Sequence, residues 1–132
     1  MGFEEISHTA DWSVRVWADD LPSLFAESAQ AMNALAGTVT GPGPRLKRTF
    51  ESEAPDPESL LVAFLSELVY YQEQENLAFK VFDIQLRDGG ISMNMEGAPI
   101  VSVDKAIKAV TYHNLKIEET SRGYETVIVF DV

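Results

Sequence analysis

Two amphipathic helical segments, set among strand-like segments, restrict this chain to a mixed fold. Residues 24–35 place apolar and small side chains at helical spacing, after Asp19-Asp20-Leu21-Pro22 and before Gly37. Residues 60–71 repeat this spacing after Asp56-Pro57-Glu58. Acidic residues and proline favour the first turn of a helix, and glycine favours its end. We therefore predict one helix over each segment.

Segments of strand character surround the two helices. Alternating or β-prone residues predict strands over residues 3–8, 12–18, 45–54, 77–87, 91–96, 107–118 and 124–130, with loops over 38–44 and 97–99. An irregularity is expected at His113-Asn114, because asparagine tolerates left-handed backbone geometry. The order ββαβαββββ predicts an α+β fold of two layers, with two helices packed on one face of a mostly antiparallel sheet.

The bulk composition is that of a small protein without thiol chemistry. The chain has 132 residues, of which 45% are hydrophobic, and this length suits a single domain over residues 1–132. It contains no cysteine, which excludes disulfides, thiol nucleophiles and thiolate zinc sites. There is no apolar run of about 20 residues and no secretory signal pattern, so we expect a cytoplasmic protein with no membrane partner.

The charge balance disfavours nucleic acid as a direct partner. Twenty-one acidic residues against 10 basic ones give a formal net charge of −11, which repels a phosphate backbone. The one basic cluster, Arg45-Leu46-Lys47-Arg48, is short and is interpreted as a solvated strand edge. The charge fits cations or a basic protein partner better.

A carboxylate near the end of the sequence raises two alternatives. Asp131 shares a strand face with Val127 and Val129, where burial of an unpaired charge is costly. The residue is either solvated at the strand end or part of an oxygen cage with the carboxylate of Val132 and another acid, such as Asp11. Calcium and magnesium prefer such oxygen ligands.

The two histidines, His8 and His113, also leave alternatives open. Each could act as a general acid or base, ligate a metal, or lie partly buried with a backbone hydrogen bond. A hydrolase built on His8, Asp11 and His113 is disfavoured, because no nucleophile motif, phosphate-binding loop or catalytic metal motif accompanies them.

Three segments in order along the chain carry a family resemblance. His8-Thr9-Ala10-Asp11, the run KAVTYH at 108–113 and the run VFDV at 129–132 resemble the archease family, as does the helical segment 60–68. The resemblance implies an archease-like fold and a non-catalytic role in tRNA processing. Archeases are protein cofactors that activate an RtcB-type GTP-dependent tRNA-splicing RNA ligase by promoting its guanylylation and multiple turnover.

The same resemblance implies a divalent-cation site at an acidic tip. Carried over to this chain, the ligands would be Asp11 and Asp131, with Val132 supplying a main-chain or terminal oxygen. Calcium is the expected ion, with magnesium or manganese as functional alternatives, and His8 and His113 would lie beside the ligands or face the partner. A general binding module for several RNA-processing proteins is the alternative function, and it would not depend on Asp11.

One departure from the family pattern lies just after the HTAD motif. The family often has an apolar residue followed by glycine there, whereas this chain has Trp12-Ser13. Serine is expected to need ordinary backbone angles at a position where glycine would not.

Overall fold

The computed structural model describes residues 1–6, 12–43, 45–112 and 114–132. In chain order its elements are β1 (Gly2–Ile6), β2 (Trp12–Ala18), α1 (Leu21–Ala36), β3 (Val39–Thr40), β4 (Leu46–Glu53), α2 (Pro57–Tyr70), a π-helical turn (Tyr71–Glu75), β5 (Leu77–Arg87), β6 (Gly90–Ser102), β7 (Ala109–Val110), β8 (Glu118–Thr120) and β9 (Gly123–Asp131).

The strands form two antiparallel sheets. In the five-stranded sheet, the order is β1-β2-β9, and the short strands β7 and β8 pair with opposite ends of β9. In the four-stranded sheet, the long strand β6 lies at the centre and pairs with β3, β4 and β5. The α+β class is confirmed, with both helices packed against antiparallel sheets, although the sheet is divided in two.

The helices are buried on several sides because each contacts both sheets. Helix α1 contacts β2 and β5, and α2 contacts β4 and β7. Phe64 of α2 is completely buried, and its ring contacts Phe25 of α1, Phe50 of β4 and Phe82 of β5. A helix with apolar side chains on more than one face can be covered by two sheets, which explains the division of the predicted single sheet.

Both helices begin and end close to the predicted residues. The side chains of Asp20 and Asp56 accept hydrogen bonds from the backbone N–H groups of Ser23 and Ser59, at 2.8 and 2.7 Å. Helix α1 ends at Ala36 and is capped by Gly37, whose φ of 64° is left-handed and favours glycine. The capping residues that the sequence offers therefore set the starts of both helices and the end of α1.

Two segments differ from the prediction. Residues 97–99, predicted as a loop, lie inside β6, where Gly97 allows the chain to pass close to the backbone of Ala78 and Phe79. Residues 107–118, predicted as one long strand, form strand pairs only at Ala109–Val110 and from Glu118 onward. The apolar spacing in this second segment comes from side chains that contact the core from an irregular backbone, such as Ile107.

The backbone at Asn114 and Ser13 has the geometry that the sequence predicts. Asn114 has a φ of 55°, which confirms left-handed geometry at this position, whereas His113 lies outside the described residues. Ser13 lies within β2 and does not have a positive φ, as expected for serine at that position. Of four aromatic residues on α2 and β5 and at their junction, Phe79 and Tyr71 are buried and Phe82 is partly buried, but Tyr70 is 51% exposed.

No helix in the described part of the chain combines the length and apolar character that a membrane crossing requires.

Candidate functional site

Asp131 lies at the end of β9 and points away from the core. Asp131 is exposed, whereas Phe130 and Ile128 on the other face of the strand are fully buried. The alternation along β9 places Asp131 on the same face as Val127 and Val129, as the sequence predicts. The carboxylate therefore lies at the surface without the cost of burial in the core.

The segment around β7 holds this end of β9 in place. Ala109 pairs with Asp131, and the Lys108 N–H donates to the Asp131 main-chain oxygen at 2.8 Å. Two residues earlier on β9, the oxygen of Val129 accepts a hydrogen bond from the Thr111 N–H at 3.0 Å. The Asp131 backbone is thus fixed on one side while its side chain stays accessible to solvent.

Strand β2 holds the other side of the β9 end. Trp12 lies directly opposite Phe130, and Ser13 lies opposite Val129. The Lys105 ammonium is 5.0 Å from the centroid of the Trp12 ring, a cation–π contact. The N–H groups of Asp104 and Lys105 donate to the Ala36 oxygen at the end of α1, which anchors the loop that carries Lys105.

The structure describes only some of the predicted site residues. Asp131 and Val132 are described, and the Val132 side chain packs against the core. Asp11, His8 and His113 lie outside the described residues. Within the described ranges, no three or more histidine, cysteine, aspartate or glutamate side chains come together in a group that could hold a metal ion.

The contact of Lys105 with Trp12 was not predicted from the sequence. Lys105 contacts Trp12 only because the loop after β6 returns to the end of α1, and the two residues are far apart in the chain. A single lysine in an irregular segment carries no periodic signal. Its contact with an aromatic ring could be found only from the fold.

A network of charged side chains crosses the outer face of the five-stranded sheet, the face that carries Asp131. Arg15 pairs with Glu4 at 2.9 Å and with Glu125 at 3.3 Å, and Glu125 also pairs with Arg122 at 3.2 Å. The hydrogen bond from Arg122 holds the pKa of the Glu125 carboxyl below its ordinary value. Arg122 also stacks on the Trp17 ring, 4.0 Å from its centroid, so this network fixes the outer face of β2 against β9.

A groove of about 590 Å³ lies elsewhere, on the open face of the four-stranded sheet. Residues from β4, β5 and β6 line it, among them Lys47, Asp83, Asn94 and Glu96. Neither Asp131 nor Val132, the two described site residues, contributes to this lining. The groove and the Asp131 end of β9 therefore belong to different sheets.

Comparison with known sequences places the chain among archeases. The family model described as "Archease protein family (MTH1598/TM1083)" matches residues 3–132. Protein archease of Methanopyrus kandleri is 30% identical and that of Archaeoglobus fulgidus 31% identical, each with complete coverage of both chains. Protein archease of Pyrococcus furiosus is 33% identical over 92% of this chain and 91% of its own length.

Comparison with solved structures shows the same fold. The solution structure of protein 1598 from Methanobacterium thermoautotrophicum superposes with a TM-score of 0.74 at 22% identity and covers 99% of each chain. The crystal structure of an archease from Thermotoga maritima, described as a possible chaperone, has a TM-score of 0.69 at 20% identity. It covers 98% of this chain and 96% of its own.

Proposed function

The chain belongs to the archease family, and on this premise we propose that it is a non-catalytic activator of an RtcB-type GTP-dependent RNA ligase. In this proposal it promotes guanylylation of the ligase and so permits repeated rounds of tRNA ligation. The observation that supports the proposal most is the match to the family model over residues 3–132, with full-length coverage of relatives such as the Methanopyrus kandleri protein.

We propose further that a divalent cation, calcium by preference and magnesium or manganese as alternatives, binds at the Asp131 end of β9. Asp11 and Asp131 would supply carboxylate oxygens, and Val132 a main-chain or terminal oxygen. The exposed carboxylate of Asp131 is a hard oxygen donor of the type that these ions take. His8 and His113 would lie near these ligands or face the ligase.

The strand register supports the pairing of the two aspartates. Trp12 lies opposite Phe130, and these residues are the chain neighbours of Asp11 and Asp131. Consecutive Cα atoms are about 3.8 Å apart, so each aspartate is one residue from the same strand pair. A calcium ion takes about six to eight oxygens, so water or partner groups would complete the shell.

The role of the cation would be electrostatic. A bound divalent ion supplies positive charge that can orient phosphate groups when the tip of the protein meets a nucleotide-binding cleft. The chain itself contributes the fixed end of β9, with the Lys108 N–H on the Asp131 oxygen holding the backbone still. The net charge of −11 favours association with a basic partner such as an RNA-binding enzyme.

The test is multiple-turnover ligation by the cognate ligase with GTP and manganese, at substoichiometric ligase. Addition of the wild-type protein should increase product strongly, whereas Asp11→Asn and Asp131→Asn should each remove most of this stimulation. Asp83→Asn is the matched control, because Asp83 is an exposed aspartate on the other sheet. Full activation by both site variants would contradict the metal mechanism, and no stimulation by the wild type would contradict the activator role.

A chaperone-like binding role is the second candidate. The Thermotoga maritima archease, which shares this fold, is described as a possible chaperone. This role predicts binding to several unrelated proteins and no dependence on Asp11 or Asp131. Pull-down with the wild type and with Asp131→Asn separates the two functions, because capture of the ligase alone, lost in the variant, would count against a general chaperone.

A further inference from the structure

Strand β4 leaves one of its edges available for pairing. Its eight residues, Leu46–Glu53, include no proline or glycine and pair with β6 along their whole length. Among the described residues, no strand pairs with the other edge of β4. The opposite edge of this sheet is partly covered, because Gln30 and Asn33 of α1 donate side-chain hydrogen bonds to the oxygens of Lys80 and Phe79.

The charges along this edge are arranged with opposite signs on the two sides of Thr49. Arg45 and Lys47 precede Thr49 by four and two residues, and Glu51 and Glu53 follow it by two and four. All five residues are exposed, and those within β4 lie on the open face of the sheet. A strand with this pattern is complementary to an antiparallel copy of itself.

We propose that β4 pairs with β4 of a second copy of this chain, around a two-fold axis at Thr49. In this register Lys47 lies opposite Glu51 of the second copy, and Arg45 lies opposite Glu53. Opposite charges on directly facing residues stabilise an antiparallel pair. The two four-stranded sheets would then form one continuous sheet across a self-complementary interface.

Other symmetric registers are less favourable. In an antiparallel pair with two-fold symmetry, one residue must face its own copy, because facing side chains lie on the same side of the sheet. An axis at Arg48 or at Glu51 places like charges opposite each other. An axis at Phe50 keeps Lys47 opposite Glu53 but leaves Glu51 opposite Thr49. The axis at Thr49 therefore matches the most charges.

The alternative role for the same charged side chains is to prevent edge-to-edge association between molecules. Charged side chains on an edge strand often prevent pairing between molecules. If the charges only prevent association, the protein should be a monomer at every concentration. If they pair across the interface, a dimer should form and should depend on the order of basic and acidic residues along β4. Exchanging a basic and an acidic residue along β4 therefore separates the two roles.

Sedimentation velocity across a wide range of protein concentration measures the dimer directly. The wild type should dimerise more weakly as salt rises, because the pairs are exposed. Lys47→Glu and Glu51→Lys should each weaken dimerisation about tenfold or more, because two-fold symmetry repeats each like-charge pair. The double variant Lys47→Glu/Glu51→Lys should restore the dimer.

The two single variants should also form a mixed dimer with each other. The Lys47→Glu chain has two acidic positions where the Glu51→Lys chain has two basic ones, so every central pair is matched in the mixture. Lys80→Glu and Glu73→Lys are matched controls, because both residues are exposed and lie outside β4. These controls should dimerise like the wild type.

Several outcomes would overturn this interface. A wild-type protein that sediments as a monomer throughout would contradict it, as would a dimer that tolerates both single variants or a mixture that does not form the mixed dimer. Circular dichroism confirms that each variant is folded before it is compared. The experiment reads molecular mass and not ligation, so its result is independent of the proposed function, whose residue Asp131 lies in the other sheet.

Discussion

Asn33 joins three parts of the fold through one side-chain amide. The residue is 8% exposed on α1, its Nδ2 donates to the Phe79 oxygen at 2.9 Å, and its Oδ1 accepts from the Gln72 amide at 3.0 Å. Asn33→Ala leaves both partners without this bond in a mostly buried place. We expect a loss of about 2 kcal/mol in the free energy of unfolding, measured by urea denaturation.

The control for this prediction is a similar bond at the surface. Gln30 on the same helix donates to the Lys80 oxygen at 2.9 Å, but this bond is exposed. Water can replace the amide there, so Gln30→Ala should cost less than about 1 kcal/mol. Equal losses for the two variants would show that burial does not set the value of the Asn33 bonds.

Gly97 is required by the close approach of two backbones. A Cβ atom at this position would collide with the Ala78 carbonyl oxygen and would lie 2.9 Å from the Phe79 Cα. Backbone atoms cannot rotate away as a side chain can, so Gly97→Ala should reduce the free energy of unfolding by about 3 kcal/mol. Thermal and urea denaturation measure this loss.

Gly43 provides the comparison for Gly97. Among the described residues, a Cβ atom at Gly43 would meet only the Pro99 ring, at 3.8 Å or more, and the φ of Gly43 is not in the left-handed region. Gly43→Ala should therefore change stability by about 0.5 kcal/mol or less. If Gly97→Ala were as mild as Gly43→Ala, the approach of β6 to Ala78 would be looser than the structure has it.

At the scale of elements, the cap of α1 gives stability that depends on pH. Hydrogen bonds from Ser23 hold the pKa of Asp20 below its ordinary value of 3.8. The larger effect comes from the Ser23 backbone N–H and the smaller from its hydroxyl. A folded pKa below the unfolded one means that the charged cap stabilises the protein above the unfolded pKa. This contribution is lost as the pH falls through the folded pKa.

Asp20→Ala should accordingly lower the free energy of unfolding by about 1 kcal/mol at neutral pH. The difference from the wild type should narrow below pH 3.8, as the wild-type carboxyl becomes protonated. Urea denaturation at several pH values measures both effects. Asp19→Ala is the control, because Asp19 is exposed and precedes the capping residue, and a similar loss in this variant would contradict the cap.

The elements that sequence could predict are those with local signals. Helices α1 and α2 follow from an aspartate cap, a proline in the first turn and apolar spacing, all contained within each segment. The prediction of one long strand over residues 107–118 was wrong because the apolar spacing there has a tertiary cause. Ile107 is buried from an irregular backbone, and Val110 from the short strand β7. The prediction of a loop over residues 97–99 was wrong because β6 continues through them. This continuation depends on pairing with β5, which the local sequence does not show.

The candidate site shows the same division. The face that Asp131 shares with Val127 and Val129 follows from the period of two along β9 and is confirmed. The contact of Lys105 with Trp12 depends on how the loop after β6 returns to α1, and no local pattern encodes that return. The joint site of Asp11 and Asp131 stays a prediction, because Asp11 lies outside the described residues.

At the scale of the whole molecule, the two helices connect the two sheets. Helix α1 contacts β2 of one sheet and β5 of the other, and α2 contacts β7 and β4 in the same way. The buried residues of both sheets and both helices accordingly form one hydrophobic cluster. We therefore expect the sheets to unfold together, although no strand pair joins them in the described chain.

Phe64→Ala tests this coupling from the side of the four-stranded sheet. The Phe64 ring is fully buried and contacts Phe50 and Phe82, which belong to that sheet. Its loss should cost about 4 kcal/mol, through lost burial and the cavity that remains. Both tryptophans, Trp12 and Trp17, lie on β2 of the other sheet, so their fluorescence reports unfolding at a distance from the substitution.

In urea, tryptophan fluorescence and far-ultraviolet circular dichroism should shift to the same lower midpoint in the Phe64→Ala variant. Tyr70→Ala on the same helix should shift both signals much less, because that side chain is 51% exposed. If the tryptophan midpoint stayed at its wild-type value while the dichroism midpoint fell, the five-stranded sheet would be stable on its own. The helices would then cover the two sheets without making their unfolding cooperative.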